Sequence, residues 1–129
     1  MIAKIDRIKV SQKGKEELSK LKRTTKIENW NILCRWAFCR SLADSSKPPV
    51  FVIPQDSNLE MSWQTFGGEI ADILHYLLVV RCYQDGLTLD QETFNQQFKL
   101  HLHRGITYLL NDPNVQSLEE LLSLGIDHS

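Results

Sequence analysis

Arg7, Lys9, Lys13, Lys15, Lys20, Lys22, Arg23 and Lys26 stand close together near the start of the chain, with Lys4 just before them and few acids between. Ammonium and guanidinium groups at this density do one kind of chemistry well. They neutralise phosphates, giving an affinity that ignores base sequence and falls steeply with salt. The ordinary alternative is a solvated, Lys-rich helix face. The distribution of charge along the whole chain tells against it. Residues 1–47 carry 12 Lys+Arg against 5 Asp+Glu, a net of +7, whereas residues 48–129 carry 3 against 11, a net of −8. A total of −1 thus hides a basic first third joined to an acidic remainder, and the first third calls for a polyanion partner, nucleic acid above all.

The other reactive side chains are less telling. Cys34 and Cys39 lie five residues apart, which on a helix is about 140° around the axis and poor geometry for gripping one metal. Both read as buried structural cysteines. Cys82 falls at a helix end. His101 and His103 are two apart on a helix and face different ways, and His75 and His128 are isolated, so no metal site is expected. Glu60, Glu69 and Asp72 lack a Lys at a spacing that would make a metal-dependent nuclease centre, and acids gather at helix starts for dipole reasons anyway. Gly67-Gly68 reads as close packing at a helix start, not as an anion cradle, because Glu69 follows it. No catalytic residue and no cofactor are expected.

These residues need elements to hold them. Residues 4–10 alternate as a short strand, with Ile8 and Val10 on one face and Arg7 and Lys9 on the other. Ser11 caps a helix expected over 12–24, whose thin apolar stripe is Leu18 and Leu21. Asn29 or Glu28 opens a second helix to about Ala43. Trp30, Ile32, Leu33, Trp36, Ala37, Phe38 and Leu42 make it apolar around most of its circumference, so it is buried in its own domain or against a partner. Strand, basic helix, buried helix is the order of a ribbon–helix–helix unit, in which strands from two chains pair.

Ser45-Ser46-Lys47-Pro48-Pro49 ends that unit, and Val50–Ile53 is a short extended run closed by Pro54. A helix from Phe66 to about Arg81 follows, stopped by Gly86. Another opens at a Thr88–Gln91 capping box and runs past Leu109 to Asn111-Asp112-Pro113. A short terminal helix is expected from the Ser117–Glu120 box to Gly125. The expected fold is mostly α, a short N-terminal strand and a ribbon–helix–helix-like unit followed by a C-terminal helical part. It makes one domain over 1–129, with a basic DNA-binding part at 1–47 and an acidic helical part at 48–129.

With 42% hydrophobic residues the chain suits a soluble globule, and no apolar run approaches the roughly 20 residues that span a bilayer. No membrane association is expected. The N-terminus lacks the apolar core of a secretory signal, and three cysteines make no disulfide framework. A reducing cytoplasm is the expected compartment.

Arg7-Ile8-Lys9, Lys20-Leu21-Lys22-Arg23-Thr24-Thr25 and the block from Asn29-Trp30-Asn31 through Cys34-Arg35-Trp36 to Ala43 resemble the DndE family of bacterial DNA sulfur modification proteins. Ile53-Pro54, Asp56-Ser57-Asn58 and Trp63-Gln64-Thr65-Phe66-Gly67-Gly68-Glu69 resemble it in the same order. The likeness covers most of the chain; the tail after about Asp112 is less diagnostic. It implies an accessory protein of DNA phosphorothioation, in which sulfur replaces a non-bridging phosphate oxygen. It further implies a DNA-binding homotetramer that prefers nicked duplex. Its partners would be a cysteine desulfurase, an iron–sulfur sulfurtransferase-like protein and an ATPase, which would carry the sulfur chemistry. Trp30, Trp36 and Phe38 would be core or interface anchors. Two rivals stay open. One is a ribbon–helix–helix regulator reading an operator through Arg7 and Lys9. The other is an enzyme: a nickase using Glu69 and Asp72, or a sulfur carrier using Cys34, Cys39 or Cys82.

Overall fold

The computed structural model describes residues 3–115. Strand β1 (Arg7–Lys9) leads into α1 (Gln12–Thr25) and α2 (Trp30–Leu42). Strand β2 (Glu60–Ser62) runs directly into the short α3 (Trp63–Gly67), and a single 3-10 turn, Gly68–Ile70, joins this to α4 (Ala71–Gln84). The longest helix, α5 (Gln91–Leu110), is followed by a break at 111–112 and a helical turn at 113–115, where the described chain ends. The fold is mostly helical with a short N-terminal strand, as composition and periodicity led us to expect; the second strand, β2, was not expected, and the two make the one strand pair among the described residues. The terminal helix expected after Ser117 lies outside the described residues.

Local chemistry accounts for most of the helix ends. The Ser11 hydroxyl accepts the Gly14 N–H at 3.0 Å and starts α1. Lys26 stops it in a left-handed conformation, φ 62°, its N–H returning to the Lys22 carbonyl. α5 starts on Asp90, whose carboxylate accepts the Thr93 N–H at 2.8 Å, so the cap is Asp90 and not the Thr88 expected from the box spacing. The helix expected to run unbroken from Phe66 breaks at Gly68, where φ is 57°. Asn31 and Arg35 of α2 fill that break. The Asn31 amide donates to the Thr65 carbonyl at 3.2 Å, and Arg35 Nε donates to that of Phe66 at 3.0 Å. A Cβ on Gly68 would sit 2.9 Å from the Arg35 guanidinium. The Thr65–Glu69 block and the Asn31/Arg35 pair are therefore two halves of one joint.

α2 packs across α5 so closely that a Cβ on Gly105 would lie 1.6 Å from the Ala37 carbonyl oxygen. Around this crossing Phe38, Phe66, Phe98 and Trp63 stack at centroid distances of 5.0–5.7 Å. Leu18 and Leu21 of α1 and Leu74 and Leu78 of α4 are buried in the same core. Each such side chain contributes roughly 1.5–3 kcal/mol by leaving water. The core draws on both the basic and the acidic parts of the chain.

β1 finds its partner within its own chain. It pairs antiparallel with β2, Ile8 opposite Met61, where the ribbon–helix–helix reading supposed a strand from a second chain. The physical reason is the Ile8/Met61 match: both are buried on one face, while Arg7 and Glu60 pair on the other at 2.8 Å. Residues 50–53 form no strand, and Val50, Phe51 and Val52 are exposed. The Pro-rich connection before them is fastened by two buried arginines. Arg81 donates to the carbonyls of Leu42 and Ser46, and Arg104 to those of Ser41 and Ser46. Together they bond the last two carbonyls of α2, Ser41 and Leu42, and tie Ser46 of the connection to the same place.

Candidate nucleic-acid interface

α1 is amphipathic in an unusual sense, its narrow apolar stripe set against cations on both sides. Gly14, Leu18, Leu21 and Thr25 are buried. Helical spacing then places Lys15, Lys22 and Lys26 along one flank and Lys13 and Lys20 along the other, with Arg23 between them. Lys13, Lys20, Arg23 and Lys26 are exposed, while Lys15 and Lys22 are partly covered. Lys15 Nζ donates to Asn58 Oδ1 at 2.6 Å, and Lys22 Nζ rests 3.5 Å above the Trp30 ring. Among the described residues no carboxylate lies within salt-bridge distance of any α1 cation.

The two strand cations differ from these. Arg7 is exposed but already paired with Glu60, an exposed pair worth about 0–1 kcal/mol. Lys9 is half-buried beside it. The structure thus gathers six of the eight expected cations on one helix and sets Arg7 and Lys9 apart on the strand ribbon.

Sequence reasoning passed over several cations. Arg40 is exposed and stacks over Tyr108, its guanidinium 4.9 Å from the ring centroid. Arg35 is committed to the Gly68 joint through Nε. Of the three cations in the acidic part, Arg81 and Arg104 are buried, leaving Lys99 as the one nearer the surface. A solvated arginine and an internal one look alike in a sequence. Only the helical phase, with Arg81 three residues past Leu78 and Arg104 four past Leu100, hinted at burial.

The remaining candidates are structural. Cys34 is fully buried and its thiol is pushed up to about 12 by that burial. Cys82 is buried too, and burial followed by Asp85 raises it to about 11. Both are thiols, not thiolates, at neutral pH. Cys39 corrects the expectation of two buried cysteines: it is exposed on α2. Among the described residues no group of His, Cys, Asp and Glu is arranged to hold a metal ion. His101 is fully buried, its Nδ1 2.8 Å from Ser41 Oγ, which also accepts from Arg104 Nε at 2.9 Å. His101 Nε2, on the far side of the ring, is buried and without a partner among the described residues. His103 Nε2 accepts the Ser11 N–H at 3.0 Å, and its Nδ1–H donates to the Lys99 carbonyl. Glu60 is held by Arg7, while Glu69 and Asp72 are exposed and unbonded. Among the described residues no helix is long and apolar enough to cross a membrane.

Comparison with known proteins completes the description. A family model described as DNA sulphur modification protein DndE matches residues 7–117. Among solved structures, DndE from Escherichia coli B7A, involved in DNA phosphorothioation modification, superposes with a TM-score of 0.69 at 26% identity, covering 84% of this chain and 99% of that one. A DndE G21/24K mutant, also involved in DNA phosphorothioation, gives a TM-score of 0.65 at 25% identity over 82% and 97% of the two chains. No curated protein sequence matches this chain.

Proposed function

Because the chain belongs to the DndE family of DNA sulphur modification proteins, we propose that it is the DNA-binding, non-catalytic subunit of a phosphorothioation system. One observation carries this reading. Among the described residues the α1 cations are left without carboxylate partners, in a protein whose acids outnumber its bases elsewhere. Unneutralised charge of one sign on a single helix is the footprint of phosphate binding. Lys13, Lys15, Lys20, Lys22, Arg23 and Lys26 are the principal contacts, with Arg7 and Lys9 contributing from the strand. Such a surface grips backbone without reading bases. A nicked duplex, which bends at low cost, meets more of it than an intact one.

The sulfur chemistry belongs to partner proteins, namely a desulfurase, an iron–sulfur sulfurtransferase-like protein and an ATPase, in the cytoplasm. The protein acts as a homo-oligomer, a tetramer. The exposed Trp36 on α2 and Ile73, Tyr76 and Leu77 on α4 support assembly, since exposed apolar groups in contiguous patches mark contact surfaces.

Fluorescence anisotropy with intact, nicked and single-stranded DNA across a salt series tests the proposal. Wild type binds nicked duplex best. Its log-affinity falls with log-salt at a slope near −5 if all six α1 cations meet phosphate, about 0.9 per contact. Lys20→Ala/Lys22→Ala/Arg23→Ala lowers the slope by about 3 and weakens binding to every sequence alike. Absence of binding at moderate salt, or a variant indistinguishable from wild type, refutes it.

A further inference from the structure

The ribbon of β1 and β2 has an open edge, and the register shows what that edge offers. The Trp63 N–H donates to the Asp6 carbonyl at 2.8 Å and the Val10 N–H to the Leu59 carbonyl at 3.0 Å. In an antiparallel pair, bonded and non-bonded positions alternate. Ile8 therefore exchanges its bonds with Met61, while the N–H and C=O groups of Arg7 and Lys9 turn away from β2. No other described group bonds them. Unpaired main-chain groups of this kind are a template for another strand.

A cleft of about 660 Å³ runs along this edge, lined by β1 on one side and by Gln91, Asn95 and Lys99 of α5 on the other. Those three residues, four apart, form one stripe of α5. Gln91 already shows what amides here do. It accepts the Lys4 N–H at 3.1 Å and donates to the Lys4 carbonyl at 2.6 Å, clasping a main-chain segment as a strand would. Asn95 continues that wall. Among the described residues Lys4, Lys9 and Lys99 line the cleft without ion-pair partners, whereas Glu60 is paired with Arg7 and only Asp6 opposes them.

We propose that this edge and cleft dock an extended acidic segment of a partner protein, added to β1 as a third strand. The donors and acceptors are spaced for a polypeptide. Carbonyl oxygens facing the cleft would repel phosphates, which sets the site apart from the α1 surface. A second copy of β1 fits poorly, because antiparallel pairing would set Arg7 and Lys9 against Arg7 and Lys9. Main-chain bonds supply the grip in this mode of recognition and the flanking side chains supply selectivity.

The full-length protein is titrated with a fluorescein-labelled, capped peptide of alternating Glu and Val. Comparison probes are its Lys/Val counterpart, the acidic peptide with two Val replaced by Pro, and a short oligothymidylate. The acidic peptide binds, the Lys and Pro peptides bind about tenfold more weakly or not at all, and hydrogen exchange slows at the Arg7 and Lys9 amides. Lys9→Pro removes an N–H that faces the cleft while sparing the bonds to β2, so it abolishes binding where Lys9→Ala only reduces it. Asn95→Ala and Lys99→Glu, on the opposite wall, weaken binding with the strand untouched. Equal binding of the Pro peptide overturns the proposal. So does oligothymidylate binding in the peptide's place, an unchanged exchange rate at Arg7 and Lys9, or no peptide binding at millimolar concentration. Should Lys9→Pro fail to fold, exchange on the wild type decides.

Discussion

Gly105 is the most tightly confined glycine among the described residues. A methyl group there meets the Ala37 carbonyl at 1.6 Å, and neither backbone can yield without moving a helix. Gly105→Ala is expected to cost about 3 kcal/mol by overpacking, read as a lowered urea midpoint. Gly86 makes the contrast: φ is 75° and a Cβ there would meet nothing within 4 Å, so Gly86→Ala costs only about 1 kcal/mol of backbone strain. The two buried histidines set the pH response. Burial, with Arg81 and Arg104 nearby, depresses His101 to about 4, and burial depresses His103. Both rings fold in the neutral form while the unfolded chain takes up protons near pH 6.5. Their contribution is thus complete above pH 6.5 and is lost as pH falls below it, for His101 down to about 4. Between those limits stability drops by about 1.4 kcal/mol per pH unit for the His101 ring, and His103 adds to the fall in the same direction. Urea midpoints at pH 7, 6 and 5 should show this slope, and His103→Gln should flatten it. At this scale the sequence was only partly legible. Ile8 and Val10 announced their burial by alternation, but His101, His103, Arg81 and Arg104 are internal because of partners distant along the chain.

Helices were legible where a short polar residue marked their start and opaque where the backbone turned on a glycine. Ser11 fixed the start of α1, and α2 starts just after Asn29, as expected. The Gly68 break escaped notice because Phe66, Ile70, Ile73 and Leu77 keep helical spacing across it. The break also rotates part of that stripe outward, leaving Ile70, Ile73 and Leu77 exposed. At α5 the capping-box pattern named Thr88, but Asp90 does the capping, with the Thr88 hydroxyl donating to its carboxylate. Asp90→Ala is accordingly expected to cost about 1 kcal/mol and Thr88→Ala clearly less, both measured by thermal melts. The cations of α1 were all visible in the sequence. Their separation into two flanks follows from where Leu18 and Leu21 point.

Across the molecule, the buried arginines sharpen the charge division that composition first showed. Arg81 and Arg104 spend their charge inside, so the acidic part meets solvent more acidic than its residue count suggests. Assembly is the molecular property most open to test. Trp36 is 44% exposed on α2, beside the exposed Cys39 and Arg40, and Trp36→Ala is expected to dissociate the oligomer before it alters any DNA preference. Size-exclusion chromatography with light scattering reads this directly, and an unchanged oligomer would sink the idea.

The segment ahead of α1 is secured entirely from afar. Lys4 is held by Gln91, the Ala3 carbonyl lies 2.8 Å from His75, and Ser11 is held by His103. During synthesis those residues leave the ribosome before any of the groups that will seat them. Until α5 has emerged, the nascent chain can hold its basic helix only through α2, residues 56–58 and the β1–β2 pair. Such distant closures slow folding. The segment ahead of α1 thus completes its contacts only once α5, made well after it, has arrived.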